Sequence, residues 1–523
     1  MVRLRFVRWS LCIATLLMSS ALRADDDPGQ AMLDKATEAK LSAEDAGDLN
    51  EVIKLCQDAL KAGLNEDNTR FANDLLASTL TQRADLICTE LFERPVKPNR
   101  ARGLVQMALS DLQETLKIDP KQALPQYLLG RLYSHLGQKD KALSALTEAV
   151  QLSTDDPQAK AKALMIRGNL KTDAKERLAD FDEAVKLMPK DPEVLRFRGM
   201  FHLIEDRADP ALADFMAALE LDPEDADTHE ACGIAQSVLK KYDEAMQCFD
   251  KAIELAPDNA AAYTHRARVR AIKGDTPAAM RDVEHALELQ PGSVQALQLH
   301  ASLLGSTGKF EQALSDLNLL RTAMPDNPEL LLQIAMLHQA AKQADKAIAS
   351  YDTLLATDPT NVAAYRGRAD AYLSLGKQAE AIADYEQAIK HEPKNSGVLN
   401  NLAWVLATSP EDKLRDGKRA IELAKLACDV TEYKQAHILS TLAAGYAETG
   451  DFDTAMNWSK KAVELGSDDL KGQLNKELES YEAKKPWREA TPADGAVVPN
   501  ESATPEDGSA PKGDETARRK PGS

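Results

Sequence analysis

Between residues 121 and 466, small and large apolar residues recur with two periods: three or four residues locally, and 34 residues along the chain. Each unit is numbered from the third residue after a recurring proline, so units begin at 123, 158, 192, 226, 260, 294, 328, 362 and 396. Positions 4, 7, 8 and 11 then lie on one face of a first helix, and positions 20, 24 and 27 on one face of a second. Position 8 is small: Gly130, Gly199, Gly233, Ala267, Ala301, Ala335, Ala369 and Ala403. Alanine recurs at position 20, from Ala142 to Ala381, and at position 27, from Ala149 to Ala388. Position 24 is large, with Phe181, Phe215, Phe249, Tyr351 and Tyr385. Small residues on facing helices let two backbones approach closely, and the large residue fills the gap beside them.

The same register carries the signals that end helices. Gly137, Gly274, Gly308 and Gly376 stand at position 15, where they stop the first helix. Pro189, Pro223, Pro257, Pro291, Pro325, Pro359 and Pro393 follow one another at 34-residue intervals and stop the second. Proline is 24 of 523 residues. Six successive coincidences are therefore on the order of one in 10^8 by chance. A hairpin of this kind cannot bury its apolar face alone, so hairpins must stack.

The spacing predicts an organisation along the whole chain. Residues 1–24 have a basic flank (Arg3, Arg5, Arg8), a short apolar run and a small-residue site, which reads as a signal peptide. Residues 30–119 carry two divergent repeats, with helical pairs at Gln30–Glu44 with Leu49–Ala62, around Gly47-Asp48, and at Asn68–Phe92 with Asn99–Lys117. Residues 120–393 form the regular array, and residues 394–466 continue it with a lengthened loop. Residues 467–484 suit a polar capping helix, and residues 485–523, rich in Pro, Ala and Ser, read as a disordered tail.

The 34-residue pattern resembles the tetratricopeptide repeat (TPR) family, most closely over Leu375–Ile389. The resemblance implies an all-α, right-handed α-solenoid of about eleven TPR-type helical hairpins. It also implies that first helices line a concave face where positions 2, 5, 9, 12 and 13 meet a protein or peptide ligand. Carried over, these positions point to Tyr127, Arg131, Arg196, Arg268, Arg366, Asp370, Asn400 and Trp404. The 5/9 pairs Arg196/Met200, Glu230/Ile234, Thr264/Arg268 and Arg366/Asp370 lack the Lys and Asn of the clamp by which some members hold a chaperone C-terminus.

Composition narrows the partner. Without residues 1–24, which carry four Arg and no acid, 60 basic residues face 83 acidic ones, a net charge of −23. Such a body repels phosphate backbones, which argues against nucleic acid. Cys56, Cys88, Cys232, Cys248 and Cys428 are scattered without a CxxC and read as core fillers, although Cys232 and Cys248 fall on facing helices of one repeat. No catalytic, metal-ligating or cofactor-binding motif stands out; Gly305-Ser306-Thr307-Gly308-Lys309 has the wrong spacing for a phosphate loop and falls on an inter-helix turn. The reading is an exported, periplasmic or secreted bacterial scaffold, without a transmembrane domain in the mature chain and with envelope association left open. The rivals are a glycosyltransferase-like enzyme of the kind to which such arrays are attached, and a self-assembling structural protein.

Overall fold

The computed structural model describes residues 28–489 except Pro95. The expected signal peptide and residues 490–523 of the expected tail lie outside the described residues. Among the described residues there are 25 α-helices, one 3-10 turn and no strand. In chain order the helices form twelve pairs and a final single helix, against the eleven or so pairs that the pattern predicts. No helix among the described residues is long and apolar enough to cross a membrane.

The chain divides into two compact units, residues 1–269 and 270–523. Within each, the two helices of a pair pack on one another, and the second helix packs on the first helix of the next pair. The alanines at positions 20 and 27 are the contact surface, and each from Ala142 to Ala388 is at most 1% exposed. Position 24 lies against position 8. A Cβ on Gly199 would stand 2.6 Å from Phe215 Cε1, and one on Gly233 would stand 2.5 Å from Phe249 Cε1. Only glycine lets those rings rest on the helix backbone. Burial of each ring contributes about 2–3 kcal/mol.

Turn chemistry repeats with the packing. Gly137, Gly274, Gly308 and Gly376 adopt φ of 68°, 85°, 78° and 73°, and in three other repeats Asp206, Lys240 and Lys342 take the same left-handed position at 55°, 59° and 59°. A cap recurs every 34 residues. The side chains of Asp191, Asp225, Asn259, Ser293, Asn327, Asn361 and Asn395 each accept from a backbone N–H in the first turn of the following helix.

A polar brace joins the two helices of several pairs. Position 7 of the first helix meets position 23 of the second through two hydrogen bonds in Arg198–Asp214 (2.9 and 2.7 Å) and Arg368–Asp384 (2.7 and 2.7 Å). The Arg at position 7 also reaches back to position 25 of the preceding pair, as in Arg198–Asp182 at 2.9 Å and Arg266–Asp250 at 2.7 Å. His300 and Asp316 fill the same two positions at 2.8 Å. The buried Asp214 and Asp384 hold their hairpins closed, and the exposed Asp182 and Asp250 tie a hairpin to its neighbour.

The ends depart from the expected pattern in two places. Gly47 and Asp48 do not form the first turn between helices; they open the helix Ala46–Ala62, because the Asp45 side chain accepts from both backbone N–H groups and Asp48 accepts in return from that of Asp45. Residues 485–489, assigned to the tail on composition, include a segment packed on the last repeats. Elsewhere the lengthened loop is a 3-10 turn, Asp412–Leu414, before the helix Gly417–Val430. The helix Asp468–Glu482 closes the array with Leu474 and Tyr481 buried and with Glu477 accepting from the Ser440 hydroxyl.

Candidate protein-binding face

First helices place the eight carried-over positions, four in each unit. In unit 1, Tyr127 is half-buried between two apolar clusters, and Arg131 lies over the Phe92 ring with its guanidinium carbon 4.4 Å from the centroid. Arg196 is held by acids of its own array, Asp225 at 3.4 Å and Asp227 at 3.7 Å. Arg268 is exposed. These four residues do not converge on one site: Tyr127 and Arg131 share a helix, while Arg196 and Arg268 stand on separate helices farther along.

In unit 2 the other four residues stand on the first helices of two successive pairs. Arg366 and Asp370 stand one turn apart on the helix Val362–Ser374, and Asn400 and Trp404 stand one turn apart on the helix Ser396–Thr408. The Tyr385 hydroxyl donates to the Asp370 carboxylate, and Asn401 Nδ2 donates to it at 3.5 Å. Burial pushes the Asp370 carboxyl up to about 6, against the pull of Tyr385 and Arg366 toward the charged form. Asn400 Nδ2 donates to Asn401 Oδ1 at 3.4 Å. Asn400 is 5% exposed, yet its Oδ1 has no hydrogen-bond partner. A buried carbonyl left so costs about 1–3 kcal/mol. Arg366 is exposed and forms no ion pair with any described residue, and its Nη1 would lie 3.8 Å from a Cβ placed on Gly397. The result is a polar strip with an unpaired cation, an acid near its titration point and an unused buried acceptor.

Beside it lies a feature that spacing alone does not reveal. After the final helix, Pro486 to Glu489 run back onto the ends of two first helices. Trp404 Nε1 donates to Glu489 Oε1 at 2.8 Å, and the Glu489 backbone N–H donates to the Thr408 carbonyl at 3.0 Å. Arg488 donates to the Ala407 carbonyl at 3.4 Å and pairs with Glu448 at 2.6 Å, a carboxylate that also pairs with Arg415 at 2.9 Å. Trp487 packs against the buried cluster of Ala443, Ala447, Ala455 and Tyr481. The strap thus satisfies helix-end carbonyls that would otherwise face water. A shallow depression of about 160 Å³ also lies in unit 2, lined by Arg321, Leu331, Ile334, Ala349, Ser350 and Thr353. It is smaller than the usual ~300–1,000 Å³ of a small-molecule site.

Known families match this architecture. A tetratricopeptide repeat model matches residues 299–362, 332–397 and 366–429, and two further tetratricopeptide repeat models match residues 226–259 and 125–156. Over these residues the chain carries tetratricopeptide repeats. No curated protein sequence matches it. Similar solved TPR structures include YrrB, described as a TPR protein with an unusual peptide-binding site, at 22% identity over 36% of this chain and 95% of that one (TM-score 0.30). A tetratricopeptide repeat protein from Parabacteroides merdae is 18% identical over 56% and 98% (TM-score 0.36). Yeast Tom70 is 16% identical over 88% and 96% (TM-score 0.38).

Proposed function

We propose that this TPR protein is a non-catalytic scaffold or adaptor. It holds an extended protein segment along its first-helix faces, with the strip from Arg366 to Trp404 as the principal contact. The observation that carries the reading is Arg366, exposed on a first helix and in no ion pair with any described residue. A carboxylate on the bound segment forks onto that guanidinium. Second helices spend their apolar faces and their position-23 acids on packing and bracing, which leaves the first helices to meet a ligand. No observation favours the enzyme or the self-assembling alternative.

Crosslinking followed by affinity capture tests the reading. A partner captured by the native chain is lost with Arg366→Glu or Trp404→Ala and is kept with Glu386→Lys, an exposed position on the second helix of the pair that carries Arg366. Arg196→Glu has little effect, because Arg196 already pairs within its own array. Capture that survives Arg366→Glu and Trp404→Ala together removes the strip as the contact. The reading includes export, supported by the basic, apolar and small-residue succession over residues 1–24. N-terminal sequencing of the mature protein is expected to start close to Asp25, and a mature chain that keeps Met1 counts against export by cleavage.

A further inference from the structure

Positions 7 and 23, which carry the Arg–Asp or His–Asp brace in three pairs, hold Cys232 and Cys248 in the pair Ala226–Val238 and Tyr242–Leu255. The separation is 16 residues, the same as in Arg198–Asp214, His300–Asp316 and Arg368–Asp384. The two sulfurs lie 3.1 Å apart, and both cysteines are free thiols. Core filling alone asks only for a small apolar residue at each place and does not bring two sulfurs together. Apolar packing surrounds the pair, with Ala211, Leu212, Phe215 and Ala235 in the same cluster. Cys232 is 3% exposed, whereas Cys248 is half-buried and is the more accessible residue of the two. Cys56, Cys88 and Cys428 are all buried.

We propose that Cys232 and Cys248 form an oxidisable dithiol that closes into a disulfide, so that this repeat carries a redox-dependent brace where its neighbours carry an ion pair. The oxidant is a disulfide donor of the glutathione or dithiol-oxidase class. The Cys248 thiolate attacks one sulfur of the donor, breaks its S–S bond and releases one thiolate. Cys232, losing its proton to solvent, then attacks Cys248 Sγ, forms the intramolecular bond and releases the second donor thiolate. Two electrons pass to the donor, and its two thiolates take up two protons. Cys248 Sγ donates to Cys232 Sγ at 3.1 Å, and Cys248, the more exposed residue of the two, is the one the donor meets first. Closing the bond needs a shift of about 1 Å, since a disulfide spans about 2.05 Å. Linking ends this close in sequence restricts local opening of the hairpin by about a hundredfold.

The test uses the full chain, reduced, freed of reductant, incubated with oxidised glutathione, denatured and alkylated. Peptide mapping is expected to find Cys232 and Cys248 joined and Cys56, Cys88 and Cys428 alkylated. Cys232→Ser should leave a stable glutathione adduct on Cys248, which marks it as the attacking sulfur. Amide exchange in helices 226–238 and 242–255 should slow about a hundredfold on oxidation of the native chain. Alkylation of both cysteines after oxidation, or a glutathione adduct on Cys248 that Cys232 never displaces, overturns the proposal. A disulfide that leaves exchange in these helices unchanged overturns its role as a brace.

Discussion

The brace between Arg198 and Asp214 predicts an asymmetry between two single substitutions. Arg198 gives Asp214 two hydrogen bonds at 2.9 and 2.7 Å and reaches Asp182 at 2.9 Å. Asp214 is 6% exposed, while the Arg198 side chain is 24% exposed. In Arg198→Ala the carboxylate stays buried with only His202 nearby, at 4.0 Å, and burial keeps that imidazole toward its neutral form. Stranding a buried charge in this way costs about 3–5 kcal/mol. In Asp214→Ala the guanidinium keeps Asp182 and reaches water, so the loss is about 1 kcal/mol. Replacing both with apolar residues of similar volume, Arg198→Met with Asp214→Leu, should fall within about 1–2 kcal/mol of the native protein. A repeat array opens in segments, so a single melting point does not isolate this pair. Hydrogen exchange by mass spectrometry over residues 192–221, alongside urea unfolding followed by circular dichroism, reads it locally. Equal losses in the two single variants, or a double variant as unstable as the sum of both, would refute the reasoning.

Three further outcomes follow from the same geometry. Asp370 has a carboxyl raised to about 6, so between about pH 4 and 6 the folded chain holds a proton that the unfolded chain has released, and stability falls as pH rises through that window. Asp370→Asn should remove that slope and stabilise the protein at pH 7 by up to about 3 kcal/mol, as read by thermal unfolding at stepped pH; an unchanged slope argues against it. Lys240 and Lys342 hold φ of 59° where other repeats use glycine, so Lys240→Gly or Lys342→Gly should stabilise the chain by about 0.5–1 kcal/mol, read as a higher urea midpoint, whereas Gly376→Ala should destabilise it by about 1–2 kcal/mol. Trp487→Ala should loosen the strap and expose the Trp404 indole, seen as stronger acrylamide quenching of Trp404 fluorescence in a chain where the other tryptophans are replaced by phenylalanine.

The period was legible because it rests on local sterics. A small residue at position 8 and a ring at position 24 meet wherever two helices pack, so Gly199 with Phe215 and Gly233 with Phe249 show in the spacing before any coordinates. The helix-opening aspartates and asparagines share that phase and could have been read with the prolines. The brace is harder to see, because position 7 is Arg, His or Cys in the pairs that carry it, and the charges alone look like ordinary solvated faces. Among the groove candidates, Arg366, Asp370, Asn400 and Trp404 are positions 5 and 9 of two successive repeats, whose first helices meet through Asp370 and Asn401. Arg196 does not join a free face, because a helix-capping acid of the next repeat lies within its reach. The strap was hidden by composition: Pro486 to Glu489 resemble the residues that follow, and only the contacts of Trp487 and Glu489 set them apart.

The most direct measurement of the scaffold account is hydrogen exchange on the full chain with and without a peptide selected for binding from a random library. Protection is expected to concentrate on helices 362–374 and 396–408, and to disappear in Arg366→Glu together with Trp404→Ala. Protection confined to second helices, or binding unchanged by those substitutions, would contradict the assignment of the first-helix strip as the place where this protein holds its partner.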